Sequence, residues 1–225
     1  MSYMAKKIHK LAEKETYVHY LQTLKYALHV VFHPADGFWD LTHEKRGSYA
    51  AANTILVLTL LTNVWKLQFT GFLFLDVNWE RTNIIVQILS IVLPLLIFCI
   101  CNWGVTTLFD GKGKLGEIYM STCYAFTPYV LLQIPMIILS NVVTSQEGTF
   151  YIFFNSLTFI WIGILVFMAM MMLHQYSFSK TLMFMFVSAF AMLVFIFILM
   201  LFFSMISQGI AYFISLGREV LFRLN

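Results

Sequence analysis

The chain has 225 residues, of which 60% are hydrophobic and only 11% carry a charge. Soluble domains have about 25% charged and about 45–50% apolar residues, so this composition excludes an ordinary soluble domain and predicts an integral membrane protein. The net charge of +3 is small, and the distribution of the charges along the chain is more informative than their sum.

Residues 4–31 are predicted to form an amphipathic helix that precedes the membrane domain. Apolar residues recur there at steps of three and four, and they are Met4, Ile8, Leu11, Val18, Leu21, Leu24, Leu28 and Val31. Four lysines fall mainly on the other faces: Lys6, Lys7, Lys10 and Lys14. A basic amphipathic helix of this kind either lies on the membrane surface or docks a partner protein, and the sequence leaves both alternatives open.

A turn with several histidines and aspartates is predicted to follow this helix. Pro34 and Gly37 are expected to end the helix and to form the turn. The stretch is rich in side chains that could bind a metal ion: His29, His33, Asp36, Asp40 and His43. Interfacial histidines and an aspartate that caps the turn account for the same residues, and the pattern H-E-x-x-H of zinc proteases is absent. We therefore predict no metal and no cofactor.

Five apolar stretches are predicted to span the membrane, because a span needs about 20 residues. They cover residues 47–65, 82–109, 118–146, 148–173 and 181–217. The last stretch is too long for one span, so we expect a break near Gln208–Gly209 and a short interfacial helix after it. The predicted fold is all-α, with residues 1–47 as a cytoplasmic helix and turn, residues 48–207 as a five-span membrane domain and residues 208–225 as an interfacial tail.

The basic residues favour a cytoplasmic N-terminus and an external C-terminus, since cytoplasmic segments of membrane proteins are enriched in lysine and arginine. With five spans, ten of the 14 basic residues fall on the side of the N-terminus: Lys6, Lys7, Lys10, Lys14, Lys25, Lys45, Arg46, Lys112, Lys114 and Lys180. The other side receives Lys66, Arg81, Arg218 and Arg223.

The sequence DGKGK, Asp110–Lys114, is predicted to be a tight cytoplasmic turn between the second and third spans. Gly111 and Gly113 are expected to allow the reversal, and the side chains of Lys112 and Lys114 are expected to lie near anionic lipid head groups. The phosphate-binding pattern G-x-x-x-x-G-K-[ST] has a different spacing. This excludes direct nucleotide binding at the turn, and we also predict no nucleic-acid partner.

The third span is predicted to be kinked and to carry polar groups. One face of this helix carries four of its residues: Ser121, Tyr124, Pro128 and Pro135. Prolines interrupt the hydrogen bonds of a helix and leave carbonyl groups free for other partners. Amide side chains are expected to form hydrogen bonds between helices: Asn102, Gln133, Asn141 and Asn155. A packed bundle, a hydrophilic crevice and a partner-binding notch remain alternative interpretations of this span.

No ionisable residue is expected at the middle of a span, since Lys66 and His174 lie at predicted span ends. Ion-coupled transporters and intramembrane enzymes use buried ionisable groups, so neither class is favoured. The cysteines lie in apolar runs and are expected to be packing residues: Cys99, Cys101 and Cys123.

Two segments of the sequence resemble the Ypt-interacting-protein (YIP-one) family. In HPADGFWDL, the residues that resemble the family's P-x-x-x-W-D-L-type element are Pro34, Trp39, Asp40 and Leu41. In CYAFTPY, the residues that match its G-Y-[SA]-L-x-P-type element are Tyr124, Ala125 and Pro128, with Cys123 at the glycine position and Phe126 at the leucine position. The resemblance covers roughly residues 30–215 and implies five spans with a cytoplasmic N-terminus.

The longer phrases FHPADGFWDLTHEKRGS and LFDGKGKLGEIYMSTCYAFTPYVL resemble the bacterial branch of this family. This resemblance implies a protein of a bacterial cell membrane. Bacterial relatives tend to be encoded beside carbohydrate ABC importers, so the resemblance also implies an accessory role at such an importer. Eukaryotic relatives act in membrane trafficking, which makes a trafficking role an alternative.

We therefore predict a non-catalytic accessory or scaffold subunit that lies in the lipid bilayer and contacts ABC permease subunits. A stand-alone small transporter and a trafficking protein are the alternatives. The candidate residues for partner binding or for packing are Pro34, Trp39, Asp40, Asp110, Lys112, Lys114, Tyr124, Pro128 and Pro135.

Overall fold

The computed structural model describes residues 3–74 and 82–224. Within these ranges the regular structure is helical and no strand occurs. The α-helices are α1 (Tyr3–Phe32), α2 (Pro34–His43), α3 (Tyr49–Phe69), α4 (Ile84–Thr107), α5 (Leu115–Ala125), α6 (Thr127–Ser140), α7 (Gly148–His174) and α8 (Phe178–Leu224). Short 3-10 helices cover Phe72–Phe74 and Ser145–Glu147. Arg81, which the sequence analysis assigned to the outer side, lies outside the described residues.

Five helical segments of the described chain are long and apolar enough to cross a membrane. They are Tyr49–Phe69, Ile84–Thr107, Leu115–Ser140, Gly148–His174 and Phe178–Leu216. Their number and order confirm the predicted all-α, five-span architecture, and each overlaps the stretch expected from the sequence. The third segment contains two helices, α5 and α6.

The break between α5 and α6 lies at Phe126, and Pro128 is the second residue of α6. Proline has no N–H group, so it cannot donate to the carbonyl group four residues earlier, which is that of Tyr124. The side chain of Thr127 donates to this carbonyl oxygen instead, at 2.7 Å. The predicted kink of the third span is therefore present, and a neighbouring hydroxyl group satisfies the carbonyl that the proline leaves free.

Helix α2 occupies the segment in which we expected a turn. Pro34 does end the preceding helix, but it also stands in the first turn of α2, where its fixed φ angle and its missing N–H group are favourable. At Gly37 an added Cβ atom would lie 2.8 Å from the Cα atom of Val30. The glycine is thus needed because α2 folds back closely against α1, and not because it breaks the helix.

The side of α1 that packs against the bundle coincides only in part with the predicted apolar face, of which Leu24 is half buried and Val31 is buried. Thr23, Ala27 and Val30 are buried, whereas Leu21 and Leu28 are about half exposed. The side chains of residues 3–17 lie outside the described part of the structure, and these include Met4, Ile8, Leu11, Lys6, Lys7, Lys10 and Lys14. The helix itself is present, and its amphipathic character over that stretch stays a prediction.

Helix α8 continues without interruption through Gln208 and Gly209, where we expected a break. Its 47 residues make it about 70 Å long. Glycine in a helix interior costs only about 1 kcal/mol relative to alanine, which is too little to end an otherwise favourable helix. The side chain of Gln208 also donates to the hydroxyl oxygen of Ser204, one turn earlier. The expected interfacial tail is therefore not a separate element in the structure.

The third span lies at the centre of the bundle. In its most apolar stretch 56% of the residues are buried, against 6% in that of α8. The largest fully buried side chains include Tyr124 and Ile118 of α5, Phe38 and Leu41 of α2, and Leu165 of α7. The predicted packing role of the cysteines agrees with their burial, because all three are free and buried.

The two ends of the bundle carry different segments. At one end, which we call the α2 end, hydrogen bonds join α2, the loop 108–114 and the turn 175–177. At the opposite end, Gly71 donates its backbone N–H to the side chain of Ser140, at 2.9 Å. The predicted lysine-rich turn and the predicted motif around Trp39 are thus close in space at the α2 end.

Candidate functional site

Trp39 is the most prominent exposed aromatic residue of α2. Its ring stacks on that of His43, one turn later, with the ring centroids 3.9 Å apart and the planes 9° from parallel. The tryptophan remains 42% exposed. The period of the helix places Phe38 and Leu41 on the buried side, so the same helix anchors itself in the core and presents Trp39 outward.

A chain of polar side chains connects α2 to the two other segments of this end. The amide nitrogen of Gln175 lies 2.8 Å from Nε2 of His43, and the amide oxygen of Gln175 accepts a hydrogen bond from Lys112. Nδ1 of His43 lies 3.2 Å from the carbonyl oxygen of Trp39. A neutral His43 with its proton on Nδ1 satisfies both contacts. We call Trp39, His43, Gln175 and Lys112 the α2-end surface.

The loop that carries Lys112 reverses through Asp110 and not through its glycines. Asp110 has a left-handed backbone with φ of 58°, whereas neither Gly111 nor Gly113 has a positive φ. An added Cβ atom on Gly113 would lie 2.8 Å from Cε1 of His174 and 2.8 Å from Cγ of Leu173. The glycines are therefore required by space, which corrects the expectation that their conformational freedom makes the turn.

A series of buried hydrogen bonds supports the loop 108–114 on the side that faces the bundle interior. Gly113 donates its N–H to Nδ1 of His174, Nε2 of His174 faces the amide oxygen of Asn102, and the amide nitrogen of Asn102 donates to the hydroxyl oxygen of Ser188. The distances are 3.3, 3.3 and 3.1 Å. Because Nδ1 accepts, the proton of the imidazole lies on Nε2 and donates to Asn102. The series joins α4, α7 and α8 under the loop, and all three side chains are buried.

Tyr176 closes one edge of the α2 end. Its hydroxyl group donates to the carbonyl oxygen of Phe109 at 3.0 Å, and the ammonium group of Lys180 lies 4.3 Å from its ring centroid. Burial raises the pKa of Tyr176, and the negative charge of Asp110 raises it further. Asp110 thus acts electrostatically on the turn 175–177 while its own side chain stays exposed.

Asp40 faces away from the exposed tryptophan and links α2 to α1. It accepts a hydrogen bond from the hydroxyl group of Tyr26 at 3.0 Å and forms an ion pair with Arg46 at 3.3 Å. Burial and the bond to this carboxylate raise the pKa of Tyr26 to about 12. The neighbouring Glu44, 2.6 Å from Arg46, raises the pKa of the guanidinium group. Asp40 is thus a structural link between two helices.

Lys114 is the residue that precedes α5 and caps its start, and it remains exposed. Its backbone N–H donates to the carboxylate of Glu117, three residues later, at 3.0 Å. This bond satisfies a donor at the start of the helix. The ammonium group of Lys114 forms no ion pair with any residue that the structure describes, so it is available at the surface.

Tyr124 is fully buried and connects the third span with two distant segments. Its hydroxyl group donates to the carbonyl oxygen of Thr23 in α1 at 3.1 Å and accepts from the backbone N–H of Ser48 at 3.4 Å. The hydroxyl groups of Thr23 and Ser48 lie 3.2 Å apart. The residue that matches the second motif therefore stands at a packing junction, and it is not accessible to a partner.

The other candidate prolines have different environments. Pro128 is buried beside the break in the third span, whereas Pro135 is exposed inside α6. Ser121 is buried with Tyr124, so three of the four residues predicted on one face do share the buried side. Pro34 is half buried at the start of α2.

The histidines and aspartates around α2 do not form a metal-binding group. His29 and His33 stack on each other with ring centroids 4.8 Å apart, and Asp40 bonds to Tyr26 and Arg46. Among the described residues no group of three or more histidine, cysteine, aspartate or glutamate side chains could hold a metal ion.

The predicted interhelical hydrogen bonds are present. Asn102 donates to Ser188, and Asn141 donates to the carbonyl oxygen of Phe69. The amide oxygen of Asn155 accepts from both Gln133 and Lys66, at 2.7 and 3.1 Å. Lys66 is thus half buried between α3, α6 and α7, although it lies only one turn from the end of its helix.

The sequence did not indicate that His43 and Gln175 belong to the surface or that His174 supports it. His43 was considered as a metal ligand or as an interfacial histidine, and its position one turn after Trp39 was the available indication of stacking. Gln175 directly follows the last residue of α7 and has a left-handed backbone, with φ of 55°. Its contacts with Lys112 of the loop and with His43 of α2 are not indicated by the residues that neighbour it in the sequence.

The match to known proteins concerns most of the chain. The family model described as the Yip1 domain matches residues 28–216. This range contains both sequence motifs and all five candidate spans. No curated protein and no solved structure matches the chain. The match covers far more than half of the chain, and the protein therefore belongs to the Yip1 family.

Proposed function

We propose that this multi-pass membrane protein of the Yip1 type is an accessory subunit without catalytic activity, which binds another integral membrane protein through the α2-end surface. The observation that supports this best is the linkage of Trp39, His43, Gln175 and Lys112 across three segments. The linkage holds a half-exposed tryptophan in one orientation. Tryptophan is enriched among the residues that dominate binding energy at protein interfaces, and preorganisation lowers the entropy that binding costs.

The proposed partner is the permease part of a carbohydrate ABC importer in a bacterial cell membrane. The support for this choice is the resemblance of the segments around Trp39 and Tyr124 to the bacterial branch of the family. The exposed Lys112 of the surface and the exposed Lys114 beside it would favour acidic side chains on the facing protein, because complementary charges steer association and fix its register.

The α2 end is proposed to face the cytoplasm. The distribution of lysine and arginine supports this orientation, since Lys45, Lys112 and Lys114 all belong to segments of that end. A cysteine introduced as Lys45→Cys should react with an impermeant maleimide only after the membrane is opened, whereas Phe72→Cys at the opposite end should react in intact cells. The reverse pattern of labelling would refute the orientation.

A pull-down from the native membrane in mild detergent tests the accessory role. Tagged wild-type protein should recover permease subunits in stoichiometric amounts, identified by mass spectrometry. The variant Trp39→Ala should recover far less, because loss of an interface tryptophan of this kind costs at least about 2 kcal/mol, or roughly 30-fold in affinity. The matched control is Trp103→Ala, since Trp103 is also 42% exposed but lies on α4.

Recovery of the bait alone from wild-type membranes would refute the accessory role. It would favour a stand-alone transporter, which should move substrate after reconstitution by itself. Equal recovery with Trp39→Ala and with Trp103→Ala would leave a bound partner but would refute the α2-end surface as its contact. Recovery of a prenylated GTPase would instead favour a trafficking role.

A further inference from the structure

Over residues 21–32, the exposed side of α1 changes from apolar to polar around the helix. At about 3.6 residues per turn, Leu28, Leu21 and Phe32 follow one another on one part of the exposed surface. Polar residues His29 and Gln22 occupy the neighbouring part. Lys25 lies on the boundary between the two parts. This arrangement is typical of a helix that lies along a membrane interface, with its apolar part toward the lipid chains and its polar part toward water.

A groove opens on the apolar part of this helix. Its volume is about 360 Å³, within the range of sites that hold small molecules. Three helices supply its apolar lining: Leu24 and Leu28 of α1, Ile55 and Leu58 of α3, and Val130 and Leu131 of α6. Leu28, Leu58 and Leu131 are each about 40% exposed at its rim, which in a membrane-spanning chain means exposure to hydrocarbon. The groove is therefore shaped and lined to accept an acyl chain.

Lys25 gives the groove a single charged group. It belongs to the lining, its side chain is exposed, and it forms no ion pair with any residue in the described part of the chain. No carboxylate lies in the lining. An ammonium group at the boundary between the apolar and polar parts of an interfacial helix lies at the depth of lipid phosphates.

We propose that this groove is a binding site for an anionic glycerophospholipid, with one acyl chain between α1, α3 and α6 and the phosphate on Lys25. The bound lipid would fill the space under α1 and hold this helix at the membrane surface. The site is independent of the α2-end surface, because none of the four residues of that surface lines the groove.

Native mass spectrometry of the purified full chain tests the site. The protein is released from micelles that contain equal amounts of phosphatidylglycerol and phosphatidylcholine with identical acyl chains. Wild-type protein should retain one lipid with a preference for phosphatidylglycerol. Lys25→Gln should reduce this preference about fivefold, the factor expected for one lysine near an anionic lipid surface. The matched control is Lys45→Gln, an exposed lysine outside the lining, which should keep the preference.

Filling the groove tests the acyl-chain contact separately. Val130→Phe adds volume to a half-buried lining position and should reduce retention of both lipids. A melting measurement verifies that the variant folds, and Leu131→Phe replaces it if it does not. The proposal is overturned if wild-type protein shows no preference for the anionic lipid, if Lys45→Gln lowers the preference as much as Lys25→Gln, or if a folded groove variant retains lipid like the wild type.

Discussion

At the scale of single residues, contacts with distant segments explain why particular residue types are needed at several positions. In the sequence these positions look like simple turn or motif residues. Gly113 lacks a positive φ, and its missing side chain makes room for His174 and Leu173. Tyr124 contacts Thr23, which is 101 residues away along the chain. The turn and the motif in the sequence therefore contain residues that hold the fold together. Their structural roles depend on contacts with segments that are distant along the chain.

The variant Gly113→Ala should destabilise the protein by about 1–3 kcal/mol, the usual cost of overpacking a filled site. The physical reason is the 2.8 Å approach of the new Cβ atom to the side chains of His174 and Leu173. The free energy of unfolding in a detergent titration measures this effect. Gly104→Ala is the control, because nothing outside the local helix backbone and the adjacent residues lies within 4 Å of its Cβ position, and it should be neutral or stabilising by up to about 1 kcal/mol. Equal effects of both substitutions would contradict the steric explanation.

The variant Tyr124→Phe should lower the free energy of unfolding by about 1–2 kcal/mol, because it leaves the buried carbonyl of Thr23 and the part-buried N–H of Ser48 without their hydroxyl partner. The same detergent titration measures the loss. Tyr212→Phe is the control, since Tyr212 is 66% exposed and should tolerate the change. A loss no larger than that of the control would mean that the Tyr124 hydroxyl does not help to hold α1 and α3 together.

At the scale of elements, the periodic and charge-free stretches predicted the five spans well, while short polar elements were predicted poorly. Pro128 allows the break between α5 and α6 to be predicted, because the missing N–H group that interrupts the helix is a property of the proline itself. Helix α2 was not predicted because Pro34 and Gly37 are residue types that also favour turns. The close approach of Gly37 to Val30 of α1, which explains the glycine, is a tertiary contact. The continuity of α8 through Gly209 shows that one glycine does not outweigh a long apolar helix.

The attachment of α2 to α1 should weaken at high pH, because it uses the protonated hydroxyl group of Tyr26. Its pKa is raised to about 12 in the folded protein, against about 10 in an unfolded chain. Because folding raises the pKa of the Tyr26 hydroxyl group, the stability that this group contributes is complete below about pH 10. That stability is lost as the pH rises through about 12. The melting temperature of the wild type relative to Tyr26→Phe should therefore decrease over this range.

The control for this pH dependence is Tyr212→Phe, whose melting temperature should keep a constant difference from the wild type over the same range. Asp40→Asn removes the carboxylate that accepts from Tyr26 and should reduce the dependence. A Tyr26→Phe variant that follows the wild type at every pH would contradict the proposed role of this hydroxyl group.

At the scale of the whole molecule, the two ends of the bundle carry different segments. The α2 end combines α2, the loop 108–114 and the turn 175–177, and a buried chain through His174 and Asn102 supports it. The sequence predicted that Trp39 and Lys112 matter, and it predicted a lysine-rich cytoplasmic turn. It could not predict that Gln175 joins Lys112 to His43, the residue that stacks on Trp39, because that contact requires the tertiary arrangement of the helices.

The measurement that tests the central proposal most directly is photo-crosslinking in the intact native membrane, without detergent. A photoreactive phenylalanine analogue replaces Trp39 in one variant and the equally exposed Trp103 in another. We expect that illumination joins the chain at position 39 to one integral membrane partner, identified as an ABC permease subunit, and that position 103 yields no such product. The same products from both positions, or no protein product from position 39, would contradict an accessory role through the α2-end surface.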